Sequence, residues 1–146
     1  MQPVDLYEEV RVTKDYRKAI ELIPYAQFLG ISFQLDPEDG LLFSLPFKQE
    51  NIGNFKLPAL HGGVIGGLME TAAIVHLMWK MECLTLPKVI DFTIDYLRFG
   101  KPIETYATCS ITKLGKRIAN VYIEAWQEDR AQPIAIARSH FKLTQD

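Results

Sequence analysis

Residues 60–73 read LHGGVIGGLMETAA, from Leu60 through His61, Gly62 and Gly63 to Glu70 and Ala73. The run is small and apolar, with one histidine near its head and one carboxylate nine positions after it. An ionised group in such surroundings is unfavourable unless something pairs with it or uses it. Glu70 is therefore the residue whose presence needs a reason. The apolar character continues to about residue 82 without a clear polar face, and Leu86-Pro87 breaks it. A helix that is apolar all round is one wrapped on most sides by other structure. The spacing thus predicts a long central helix over 62–82.

The rest of the chain supplies the wrapping. Ile31 to Leu35 alternates, Pro37-Glu38-Asp39-Gly40 is a turn sequence, and Leu41 to Phe47 is extended again, which predicts a hairpin. Lys48 to Pro58 is polar and reads as a loop. Val89 to Phe99 sets Ile90, Phe92, Ile94 and Tyr96 on one face and Asp91, Thr93 and Asp95 on the other. Gly100-Lys101-Pro102 turns the chain, and Ile103–Leu114 and Arg117–Gln127 form a hairpin about Gly115-Lys116. After a turn at Glu128–Gln132, Pro133–Leu143 is a last strand. Upstream, Tyr16 to Phe28 has helical spacing, with Ala19, Ile20 and Ile23 on one side and Pro24 limiting or kinking it. The fold class is α+β: one antiparallel sheet wrapped around one long central helix.

A chain of 146 residues suits one domain with a core of its own. With 23% charged residues and a formal net charge of −2, it has no electrostatic case for a nucleic-acid or membrane-surface partner. Cys83 and Cys109 lack metal-ligand spacing and read as reduced core thiols. The opening MQPVDLYEEVRV has acidic residues and no apolar centre, unlike a signal peptide. His61, Glu70, His76 and Lys80 interrupt the longest apolar stretch, which argues against a membrane span. The expected location is the cytoplasm. No metal-binding pattern, P-loop, dinucleotide fingerprint or G-x-S-x-G elbow is present, so metal is not expected.

The chemistry has to come from the helix and its carboxylate. Backbone N–H groups at a helix start lack intrahelical partners, and the helix dipole favours negative charge there. Glycines at 62 and 63 admit a substrate carbonyl to that backbone, where an N–H could stabilise an oxyanion. Glu70, farther along, could attack the carbonyl or activate a water. The competing readings are structural. Helical glycines also mark close packing, His61 suits a loop–helix junction, His76 suits the core, and His140 carries no special signal.

The run HGGVIGGLMETAA resembles the signature of the hotdog-fold acyl-CoA thioesterases of the phenylacetate-pathway (PaaI-like) type, and the element order matches from Phe28 to Leu143. The resemblance implies a single hotdog domain over 1–146, with 1–28 as an N-terminal extension and packing helix. It implies Glu70 as nucleophile or general base, the Gly62 N–H as donor to the thioester oxygen, Gly63 beside it, and His61 ordering the loop and carbonyl site. The family usually has an asparagine six residues before the histidine. Phe55 stands there, so Asn51 and Asn54 are the candidates from a longer loop. Thr93 or Asp91 would stand in for a strand hydroxyl that some members carry near Val89. Coenzyme A arrives as part of the acyl-CoA substrate, with no further cofactor, and Lys113, Lys116, Arg117 or Arg138 would meet its phosphates. For each of these four, a solvated strand or turn charge is the favoured reading. The resemblance also implies a homodimer or homotetramer, which would cover the sheet edge and place Glu70 against substrate held partly by another chain. A thiol leaving group, with a pKa of about 8.5, departs without a strong acid, so one carboxylate and one oxyanion donor suffice. Two other readings stand beside this one. One is a non-catalytic acyl-CoA-binding module. The other is an acyl-thioester dehydratase or hydratase, whose histidine–acid arrangement differs from the spacing here.

Overall fold

The computed structural model describes residues 8–10, 12–13, 15–36, 40–81 and 86–143. Most of the opening MQPVDLYEEVRV (residues 1–7 and 11), the turn at Pro37–Asp39, and Glu82 and Cys83 lie outside them. Over residues 16–28, where the spacing predicts a helix that Pro24 limits or kinks, two short pieces form. The first is a 3-10 helix, Tyr16–Leu22, whose Asp15 side chain accepts from the Arg17 N–H. The second is α1, Pro24–Leu29. Proline excludes the helical conformation from the residue before it, so Ile23 is extended (φ −118°, ψ 93°), and Pro24 opens α1. Gly30, at φ 77°, ends α1 in the left-handed region that glycine reaches without strain. Ala19, Ile20, Ala26 and Leu29 are the buried contacts of this segment.

Strands β1 (Ser32–Asp36) and β2 (Gly40–Leu45) pair antiparallel as the predicted hairpin. The segment read as a loop is more ordered than its composition indicates. Gln49–Asn51 is a 3-10 turn, and β3 (Ile52–Asn54) pairs with β4 (Ala59–Leu60) in a two-stranded ladder. Next come α2 (Gly62–Met81), β5 (Lys88–Tyr96), β6 (Thr105–Leu114), β7 (Ile118–Trp126) and β8 (Ala135–Lys142). The main sheet has six strands, all antiparallel to their neighbours, in the order β1-β2-β6-β7-β8-β5. The β6–β7 turn sits one residue later than predicted: the Gly115 N–H donates to the Ile118 carbonyl (2.9 Å), leaving Lys116-Arg117 as the two-residue loop.

Alternate residues of the sheet face α2. Phe43, Ala107, Val121, Ile123, Ala137 and Phe141 are buried on that side against Leu68, Met69, Ala72 and Val75 of the helix. The several alanines among them let the helix axis lie close to the sheet. By length and composition α2 is apolar enough to cross a membrane, but most of it is buried inside the protein, which accounts for its hydropathy. The arrangement is the hotdog architecture. β5 departs from simple alternation at a register shift between Val89 and Asp91. Two residues then oppose one, and the faces exchange. Val89, Phe92 and Ile94 pack on the core, while Ile90, assigned to that face by alternation, is 53% exposed. Among the described residues β5 pairs on one side only, with β8.

Candidate active site

The entry to α2 is held by three neighbours. His61 donates its N–H to the Asn51 carbonyl (2.8 Å), and its Nδ1 accepts from the Gly63 N–H (2.9 Å). The histidine thereby caps the helix with its side chain, the usual role of a short polar residue. Tyr96 Oη donates to the Gly62 carbonyl (2.7 Å), and its ring lies so near that a Cβ on residue 62 would be 3.0 Å from it. Gly53 is under a similar constraint, since a Cβ there would lie 2.7 Å from His61 Cα. With the Gly63 N–H turned to His61, Gly63 is not the carbonyl donor. The Gly62 N–H has no acceptor among the described residues.

Glu70 is half-buried and borders a cavity of about 430 Å³. Gly63, Gly66, Gly67, Glu70 and Ile74 form one face of α2 along it, and Ile23, Tyr25, Phe92 and Ile94 close other sides. Gly62 opens instead on a neighbouring cleft of about 380 Å³ that also takes in Leu60, Ile65, Leu97, Arg98 and Phe99. Tyr96 borders both. Eight residues of helix place Gly62 and Glu70 about 12 Å apart along the axis. A glutamate leans toward the helix N-terminus and recovers only a few ångströms of that. The two groups of one chain are therefore not brought to one carbonyl, although the sequence places both on it.

The other predicted residues divide. Asn51 is buried, and its Nδ2 has no hydrogen-bond partner among the described residues. Asn54 is exposed, and its Oδ1 accepts from the Lys56 and Leu57 N–H groups (3.0 and 3.3 Å), which ties it to the turn of its own loop. Thr93 is exposed on the outer face of the sheet, opposite Arg138 and away from the cavity that its neighbours Phe92 and Ile94 line. Asp91, on the same outer face, binds His140 through Nδ1 (2.7 Å) and N–H (3.1 Å). That contact holds its carboxyl below the usual range. Lys116 and Arg117 sit at the β6–β7 tip. The register Tyr96↔Ala135 and Ile118↔Lys142 separates them from the helix entry by seven strand positions, about 23 Å. Lys113 lies near that tip, and none of these cations reaches Gly62 or Glu70 within the chain. His76 is in the core as expected, its pKa lowered to about 4 by burial and then by Lys80, with Nδ1 unpartnered among the described residues. Cys109 is buried, which pushes its thiol up. Tyr96, Ile23 and Tyr25 escaped the sequence reading as site residues. Only the tertiary fold brings them to α2.

A family profile described as Thioesterase superfamily matches residues 57–134, which contain all of α2 and three strands of the six-stranded sheet, β5, β6 and β7. A crystal structure of a Chromobacterium violaceum protein is 49% identical, covers 95% of this chain and 96% of that one, and superposes with a TM-score of 0.75. A Pseudomonas aeruginosa protein of solved structure is 26% identical over 88% of this chain and 96% of its own, with a TM-score of 0.77. The medium/long-chain acyl-CoA thioesterase YigI of Salmonella typhimurium is 26% identical over 123 residues, covering 74% of this chain and 78% of that protein.

Proposed function

Because the chain belongs to the thioesterase superfamily and is a thioester hydrolase, we propose that it hydrolyses acyl-CoA, with Glu70 as nucleophile or general base and the Gly62 N–H as oxyanion donor. The observation that carries this reading is the pairing of a half-buried carboxylate in a largely apolar cavity with a helix-start N–H that has no acceptor among the described residues. The N–H sits where the dipole favours the developing negative charge of a tetrahedral intermediate. Glu70 either attacks the carbonyl carbon, forming an anhydride that water then opens, or takes a proton from the attacking water. The coenzyme A thiolate leaves without needing a strong acid.

In this reading the site is a shared one, with Gly62 of one copy and Glu70 of another, a division that the axial separation of the two groups supports. The open edge of β5 and the exposed apolar groups beside it (Ile90, Leu97 and Phe99) form the surface that a second copy covers, in a homodimer or a pair of dimers. Asn51 is the loop asparagine of this reading, since its Nδ2 is an unused donor while Asn54 is committed to its turn. Arg98, at the edge of the Gly62 cleft, is the cation placed to meet a coenzyme A phosphate, in place of Lys116 and Arg117. The enzyme acts in the cytoplasm, and coenzyme A enters only as part of the substrate.

Release of free thiol from short, aromatic and long acyl-CoAs tests this. Glu70→Ala and Glu70→Gln should each lose about 100-fold or more in kcat. Undiminished activity in Glu70→Ala removes that residue from the mechanism. A wild-type protein that binds acyl-CoA yet releases no thiol would be a binding module.

A further inference from the structure

Two walls of the Glu70 cavity come from a part of the chain that the family profile does not reach. Ile23 and Tyr25 border the cavity, whereas the profile begins at residue 57. We propose that this N-terminal segment selects the acyl chain: the acyl group is a linear hydrocarbon lying along α2, with Tyr25 as the specificity-determining residue. The inference rests on the acyl-CoA reading above and names the substrate class for that site.

The cavity walls at Ile23, Ile74, Phe92 and Ile94 offer hydrocarbon contacts, and the Tyr96 hydroxyl is already bonded to the Gly62 carbonyl. Glu70 is the one ionisable carboxylate among the lining groups, so a polar headgroup would find few partners there. From Glu70 back to Gly63 the helix face runs about 10 Å, a length suited to an extended chain more than to an acetyl group. Tyr25 is 49% exposed and so is not core filler. Its ring sits over Gly67, where a Cβ would come within 2.9 Å of it, and Phe28 stacks beside it at 6.1 Å. Pro24 at one end of α1 and the Gly30 cap at the other set this ring in place. Gly66, one residue before Gly67, faces open space: the nearest atom to a Cβ there is Tyr96 Oη at 3.9 Å. The acyl chain passes over Gly66, between the two tyrosines.

Binding of unhydrolysable S-alkyl-CoA thioethers, from ethyl to palmityl, tests the inference in the full-length protein alongside turnover of the matching thioesters. Wild-type affinity should climb about fourfold for each methylene that becomes buried. Tyr25→Ala should flatten that climb for the longer chains and leave the ethyl compound unaffected. Gly66→Ala, which adds a methyl without striking the protein, should weaken long-chain binding about tenfold and spare the ethyl compound. It should also raise thermal stability, because alanine is the better helix former. If Tyr25→Ala keeps the wild-type dependence on chain length, or Gly66→Ala weakens every length alike, the inference is overturned. Chain-dependent thioether binding without thiol release would sink the hydrolase reading and leave this one. Hydrolysis with identical length profiles in wild type and variants would do the reverse.

Discussion

On α2, Glu70 follows Gly62 by two turns and more and borders one cavity, while Gly62, whose N–H has no acceptor among the described residues, borders another, with Tyr96 lining both. A site built from both groups needs two chains. Complementation tests this directly. Gly62→Pro removes the N–H at the first helical position, where the proline backbone is tolerated. Its ring will displace Tyr96 from the 3.0 Å contact there. Glu70→Ala and Gly62→Pro should each be inactive alone. Refolded together, they should recover activity, because each mixed dimer carries one intact site. With random mixing the ceiling is about a quarter of the wild-type rate, following from the two-fold symmetry. No recovery in a verified mixed dimer would place the site within one chain.

His61 makes a second prediction, because its visible task is to cap α2. His61→Ala should lower the unfolding free energy by about 1 kcal/mol, measured by denaturant titration. Asn or Ser in its place should restore the cap and most of the activity. If His61→Asn folds normally and is still inactive, the imidazole has a chemical task besides capping.

Gly53 and Gly66 should behave oppositely when changed to alanine. At Gly53 the new methyl meets the His61 backbone at 2.7 Å, and backbone at a helix entry has little room to yield. Gly53→Ala should cost about 1–3 kcal/mol and disturb the Asn51–His61 hydrogen bond. Amide exchange at His61 would report it, and unchanged protection would count against the contact.

The pH dependence of stability carries the mark of His76. Burial, helped by Lys80, holds its pKa at about 4 against an ordinary 6.5. The folded protein thus resists a proton that the unfolded chain accepts. The contribution is fully present above pH 6.5 and is lost as pH falls toward 4, by roughly 3 kcal/mol in all. Below that both states are protonated and the slope vanishes. His76→Leu should remove this slope, so the difference between wild-type and variant unfolding free energies should fall steadily across that window. A constant difference would mean that His76 does not titrate with folding.

The central helix was legible because a long run without a polar face has one stable environment, and Gly62–Met81 fills most of the predicted 62–82. The hairpins were legible through alternation and turn residues. What failed had physical causes that leave little trace in local pattern. The β3–β4 ladder is too short to alternate. The bulge at Val89–Asp91 moved Ile90 off the core face, whereas Thr93 lies on the outer side, where the alternation sets it. At the site, Glu70 and His61 stood out by composition, and the structure placed one on a cavity and the other at a helix cap. The separation of Asn51 from Asn54 depended on burial and on which oxygen a loop amide finds. Lys116 and Arg117, which the resemblance implies for the coenzyme A phosphates, are carried by strand length to the far end of the sheet.

That β5 pairs only with β8 among the described residues bears on how such an enzyme is handled. If catalysis requires two copies joined at that edge, the rate per molecule is a property of the solution as much as of the polypeptide. Specific activity should then hold constant at high protein concentration and fall away on dilution, following the association equilibrium. Excess substrate, bridging the two copies, should push that fall to lower concentrations.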